Sequence, residues 1–177
     1  MARIRPLEKD DGPEPRAEIE ALEASYGRAT NMKRTLARSP VALRALMQWY
    51  DLKAEAQRFL GERPTLVFVH AISAETDCLI CSTFFRRILI DAGEDPDSLA
   101  LDPREEILVA FGRQLVKAPN EVSDALYESL ASFLDPEQIV TLTTFGALMI
   151  ATNVFNNALR VDLDDYLFTY RKGAEHA

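Results

Sequence analysis

From Ile139 to Leu159 the chain carries no charged residue, and this run constrains the fold more than any other feature. A helix of about 20 predominantly apolar residues is long enough to cross a bilayer. The run argues against that with Thr141, Thr143, Thr144, Thr152, Asn153, Asn156 and Asn157. Each of those side chains needs a hydrogen-bond partner wherever water is absent. The run also follows Asp135-Pro136, a helix start of the kind found in water-exposed turns. It is therefore expected as a buried core or interface helix, with no membrane partner, and other elements must fold around it.

Those other elements read as helices too. Ile19, Leu22 and Tyr26 are spaced for one face of a helix over 17–26. Asn31 to Ala37 predicts a short helix ended by Arg38-Ser39-Pro40. Pro40 then opens a long amphipathic helix, Val41 to Leu60, stopped by Gly61. The apolar segment after Pro64 is rich in β-branched residues and would suit a buried strand, but no partner strand occurs elsewhere, so a helix is expected. Thr76 or Asp77 would cap a helix from Cys78 to Ala92, and Gly93 to Pro103 reads as an acidic loop. Further helices are expected from Pro103 to Val116, Asn120 to Phe133, Asp135-Pro136 to about Arg160, and Asp162 to Tyr170. The fold class is all-α: a compact helical domain over 16–172, with a loose tail at 1–15 and a second at 173–177.

A chain of 177 residues is long enough to bury a sizeable core. Its net charge of −8, with Lys and Arg mostly scattered, argues against nucleic acid as a partner. The first residues, MARIRPLEKDDGPEPR, contain no apolar signal core, so a cytoplasmic location is expected. In such a compartment the two cysteines are expected as thiols rather than a structural staple.

Those cysteines form Cys78-Leu79-Ile80-Cys81. The thiolate is the reactive form, and a helix N-terminus favours an anion. Cys78, in the first turn, is the more acidic thiol by that argument. Cys81 lies one turn on and shares its face, so the pair can attack an oxidant and then resolve to a disulfide. The plain structural alternative is a pair of small buried hydrophobes among Leu79, Ile80, Phe84 and Phe85. Zinc wants four ligands, and only His70 and the two cysteines offer themselves, with Glu75 or Asp77 a poor fourth, so no metal is expected. Dithiol chemistry implies no organic cofactor either.

The wider pattern resembles a known family. Leu36-Ala37-Arg38-Ser39-Pro40 precedes a long helix, and an apolar helix runs into the CxxC. Downstream come Asp102-Pro103-Arg104-Glu105, Leu115-Val116-Lys117-Ala118-Pro119, Leu134-Asp135-Pro136-Glu137-Gln138-Ile139-Val140, and the run from Asn153 to Arg160. In order and spacing, from about residue 30 to 167, this resembles the carboxymuconolactone decarboxylase / AhpD-like family, peroxidase-related branch. The resemblance implies an all-helical fold in symmetric homo-oligomers (dimer, trimer or hexamer). It implies a CxxC whose second cysteine is the peroxidatic nucleophile and whose first resolves it, with a Glu and a His relaying the proton. Cys81 would then attack and Cys78 resolve, the reverse of the dipole argument.

The relay itself is absent. Phe85 stands where the His belongs and Leu66 near where the Glu belongs. His70, four residues beyond Leu66 and on the same helix face, is the candidate substitute base, and Glu75 is the other. Asn153, Asn156, Asn157 and Arg160 form a second cluster, expected to make structural hydrogen bonds to neighbouring loops near the site. Trp49 and the phenylalanines are expected in the core. The expected function is a thiol peroxidase or disulfide oxidoreductase acting on a small hydroperoxide or disulfide and recharged by an external thiol reductant. The alternative is a non-catalytic helical assembly with a residual dithiol. Lactone chemistry of the decarboxylase branch ranks last, because its His and acidic positions are apolar here.

Overall fold

The computed structural model describes residues 2–173. Among them are nine α-helices and no strand. In chain order these are α1 (Pro13–Tyr26), α2 (Asn31–Leu36), α3 (Pro40–Met47), α4 (Trp49–Leu60), α5 (Glu62–Glu75), α6 (Leu79–Asp91), α7 (Pro103–Lys117), α8 (Asp124–Ala131) and α9 (Pro136–Leu159). Short 3-10 turns lie at Lys9–Asp11, Pro119–Glu121 and Asp165–Tyr170. The architecture is all-α, as the sequence predicts.

The apolar segment after Pro64 is the central helix, α5. Gly61, at φ 92°, ends α4 and leads directly into α5, with Pro64 tolerated in the first turn. Thr65 and residues 67–73 are all buried, so α5 is covered on every side. Its buried hydroxyls are satisfied within the helix: Thr65 donates to the Gly61 carbonyl at 2.7 Å and Ser73 to Val69 at 2.8 Å. α4, α6, α7 and α9 pack around it. Phe68 and Ile72 of α5 meet Leu108 and Phe111 of α7 and Leu142, Phe145 and Met149 of α9 in one core. Two glycines allow that approach. A Cβ on Gly146 of α9 would lie 2.9 Å from Leu115 Cδ1 and 3.0 Å from Phe68 Cζ. One on Gly112 of α7 would lie 3.1 Å from Ile72 Cγ1.

Helix α9, which carries the uncharged run, starts as expected, with a capping box between Asp135 and Gln138. It is long and apolar enough to cross a membrane by length and composition alone. Here one of its faces is buried in the core, including Asn153 and Asn156.

Several boundaries differ from the sequence reading. The expected helix 41–60 is two helices that meet at Gln48. Leu43 and Met47 of α3 join a second cluster with Leu22 and Leu36, while Ala56 of α4 belongs to the main core. One straight apolar face cannot serve both. The helix expected from Asn120 starts later, as α8, because Ser123 caps it by accepting from the Leu126 N–H at 3.2 Å. In the segment expected as a tail, the Arg3 N–H donates to the Leu159 carbonyl at 2.9 Å and Leu7 pairs with Arg34 at 3.1 Å. α1 begins within that segment, at Pro13. Of the expected C-terminal tail, residues 174–177 lie outside the described residues.

Candidate active site

The cysteines sit at the α5–α6 junction, and the backbone there explains their placement. The Cys78 N–H donates to the Ser73 carbonyl at 3.1 Å and the Asp77 N–H to Ala74 at 3.2 Å. This is a Schellman closure of α5, with Asp77 in the left-handed position that glycine usually takes, at φ 50°. Cys78 is therefore both the last residue of that motif and the N-cap of α6. Neither Thr76 nor Asp77 caps α6 as expected. The Thr76 side chain instead turns back to accept a hydrogen bond from α9.

That turn is clamped by the asparagines of α9. Asn153 Nδ2 donates to Thr76 Oγ1 at 2.8 Å, and Asn157 Nδ2 to the Thr76 carbonyl at 3.0 Å. Asn156, between them in sequence, reaches the dithiol itself: its Nδ2 donates to Cys81 Sγ at 3.3 Å. The expected structural bonding to a neighbouring loop describes Asn153 and Asn157. It misses Asn156, whose partner is the sulfur. Arg160 adopts the left-handed cap of α9 and is not part of this contact.

Both thiols are free and buried, with Cys78 0% and Cys81 5% exposed. They differ electrostatically. A hydrogen bond from the Cys81 thiol pulls the Cys78 pKa below the ordinary thiol value, against the opposing effect of burial. No N–H closes a full capping bond to the resting sulfur, yet those of Ile80 and Cys81 face it and favour its anion. The Cys81 thiol, donating to Cys78 and fully desolvated, is pushed well above the ordinary value, and Asn156 only partly offsets this. Cys78 is the acidic member, in agreement with the helix-dipole argument.

Cys81 is the thiol that borders open space. It lines a cavity of about 380 Å³ with Trp49, Tyr50, Phe84, Phe85 and Met149 among its walls. Phe85, where the resemblance would place a His, is part of this aromatic wall and lies 6.3 Å from Trp49 between ring centroids. His70 borders a different and larger cavity of about 1020 Å³, together with Arg86 and Asp97. Its Nδ1 has no partner, and burial, only partly offset by the Pro96 carbonyl, keeps its pKa below the usual value. His70 and Cys81 thus open onto separate cavities, because they leave the α5–α6 pair on different sides. Glu75 is committed to Lys117 at 3.3 Å and Arg113 at 3.9 Å, away from the thiol cavity. Among the described residues no three His, Cys, Asp or Glu side chains gather as a metal-holding group.

One further cavity residue escaped sequence reasoning. Lys33 of α2 is 4% exposed and borders the same cavity as Cys81. A lysine in a short polar-looking helix gives no signal of such burial.

This arrangement of helices recurs in solved structures. An uncharacterized peroxidase-related protein from Ralstonia eutropha JMP134, described as an alkylhydroperoxidase AhpD core, superposes with a TM-score of 0.71 at 20% identity, over 95% of each chain. A peroxidase-related protein from Silicibacter sp. TM1040 gives 0.70 at 18% identity, over 96% of this chain and 93% of its own. The fold is AhpD-like. A Cys-to-Ala variant of the debrominase Bmp8, in complex with 2,3,4-tribromopyrrole, gives 0.76 at 15% identity over 94% of each chain. No protein-family profile and no curated relative matches the chain in sequence.

Proposed function

We propose that this AhpD-like chain is a thiol-dependent oxidoreductase that reduces an organic hydroperoxide at Cys81 and resolves through Cys78. The observation that carries this reading is that Cys81 alone of the pair borders the apolar cavity, with Cys78 hydrogen-bonded behind it. The missing Glu and His are replaced within the dithiol. The Cys78 thiolate takes the proton of Cys81, and Asn156 Nδ2 holds the resulting Cys81 anion. The Cys81 thiolate attacks the distal peroxide oxygen, the O–O bond breaks, and the alkoxide leaves as alcohol with the proton held on Cys78. The Cys78 thiolate then attacks the Cys81 sulfenic acid, the S–O bond breaks, and hydroxide leaves as water with a solvent proton. The disulfide is returned to two thiols by an external dithiol reductant, which is itself oxidised.

Counting free thiols after stoichiometric cumene hydroperoxide tests the reading. The wild type loses both thiols and Cys81→Ser loses reactivity. Cys78→Ser, which lacks both the base and the resolving sulfur, oxidises more slowly than the wild type, and its sulfenic acid persists for dimedone to trap. Thiols that survive a large excess of hydroperoxide overturn it.

A second reading has its own support in the aromatic walls of the cavity and the debrominase that shares the fold. Two thiols can supply two electrons to a bromoarene, giving arene, bromide, a proton and the disulfide. Bromide release from 2,3,4-tribromopyrrole, absent with cumene hydroperoxide turnover intact, separates the two.

A further inference from the structure

Besides Cys81, the thiol cavity holds a buried cation. Lys33 Nζ donates to the Arg28 carbonyl at 3.0 Å and hangs over the rings of Tyr26 and Tyr50, 4.6 Å and 5.3 Å from their centroids. Among the described residues no carboxylate lies within ion-pair distance of it. A buried ammonium is costly unless something pairs with it, and aromatic faces with one carbonyl neutralise only part of that cost. Arg28 adds a second positive group to the same cavity, over the Tyr166 ring at 4.2 Å. Asp164 is the acid bordering the cavity. Its Oδ1 accepts from the Asn31 N–H at 2.9 Å, and burial pushes its pKa above the usual carboxylate range.

The cavity thus has an apolar aromatic body, an electron-donating sulfur on one wall and a cation in excess on another. Its size suits a small arylalkyl ligand. We propose that Lys33 is the anion-recognising group of this cavity, and that its substrates are aromatic or arylalkyl molecules carrying a carboxylate as well as the reducible group. The carboxylate would supply the partner Lys33 lacks, while the rings cover the apolar portion. This rests on the thiol reading for the reducible group, but not for the binding.

The chain has a single tryptophan, Trp49, and it lines the cavity, so its fluorescence reports occupancy without turnover. The probes are 3-phenylpropanoate and its uncharged amide, titrated against the full chain. The expected result is about tenfold tighter binding of the carboxylate, the size of one charge-assisted hydrogen bond. Lys33→Met removes this preference while leaving amide affinity unchanged, which also shows that the cavity survives. Lys33→Arg keeps the preference. Equal affinity of the two probes, or a preference that Lys33→Met leaves intact, overturns the proposal. Repeating the titration on Cys78→Ser/Cys81→Ser separates the two ideas. Carboxylate preference persists there if Lys33 carries it, whatever becomes of the thiol chemistry.

Discussion

Asn156 contributes a donor, not a base, and this sets what its removal does. An amide cannot accept the Cys81 proton, but it lowers the energy of the anion once formed. Asn156→Ala should slow sulfenic acid formation in Cys78→Ser about tenfold, the scale of a hydrogen bond to a charged group, and raise the pH at which the rate reaches half its plateau. Stopped-flow peroxide reduction across pH measures both, and an unchanged pH profile rules out the role. Lys33 gives a stability signature. Burial lowers its pKa from 10.5 to about 8. The unfolded chain therefore binds more protons than the folded one between those values, so stability rises with pH across that window. Groups facing Lys33 from the packed elements are Tyr26, Tyr50 and Asp164, with Tyr50 pushed up to about 12 by burial. Thermal melts of wild type against Lys33→Met should show a rise over that window that the variant lacks.

At the scale of elements, helix junctions place the chemistry. Asp77 holds a left-handed conformation that glycine adopts without strain. Asp77→Gly should stabilise the chain by about 0.5–1 kcal/mol in urea unfolding, relieving that strain against the added freedom of the unfolded chain. Asp77→Val should destabilise it and displace the thiols. Gly146 matters for the opposite reason, close approach. Its added Cβ would press on the buried Phe68 ring at 3.0 Å. Gly146→Ala should therefore cost about 1 kcal/mol by the same measurement, overpacking outweighing the gain in helix propensity. A more stable variant would mean that Phe68 yields freely.

On the scale of the whole molecule, two cavities share the α5–α6 pair but not their chemistry. His70 and Arg86 face one, and Arg86 is fixed there by Asp97 at 2.8 Å and 2.9 Å. Cys81 and Lys33 face the other. His70→Ala should accordingly leave the rate of Cys81 oxidation within about twofold of wild type, since His70 opens onto the other cavity. A large loss would show that the two sides communicate.

That separation also marks where the sequence stops informing. Periodicity, proline and capping residues determined the helices, because they act within a few residues of one another: Asp135-Pro136 starts α9 and Gly61 ends α4 wherever the rest of the chain lies. The CxxC at a helix start, with Cys78 the more acidic thiol, follows from the same local physics. Spacing alone puts His70 on the face of the missing Glu, but which cavity that face meets depends on how α6 crosses α5. The contacts of Asn156 with Cys81 and of Lys33 with Tyr26 and Tyr50 join residues on different helices, and no local rule fixes such pairs. Tertiary packing decided them: it put the Asn156 amide on the Cys81 sulfur and set a buried ammonium in the same cavity.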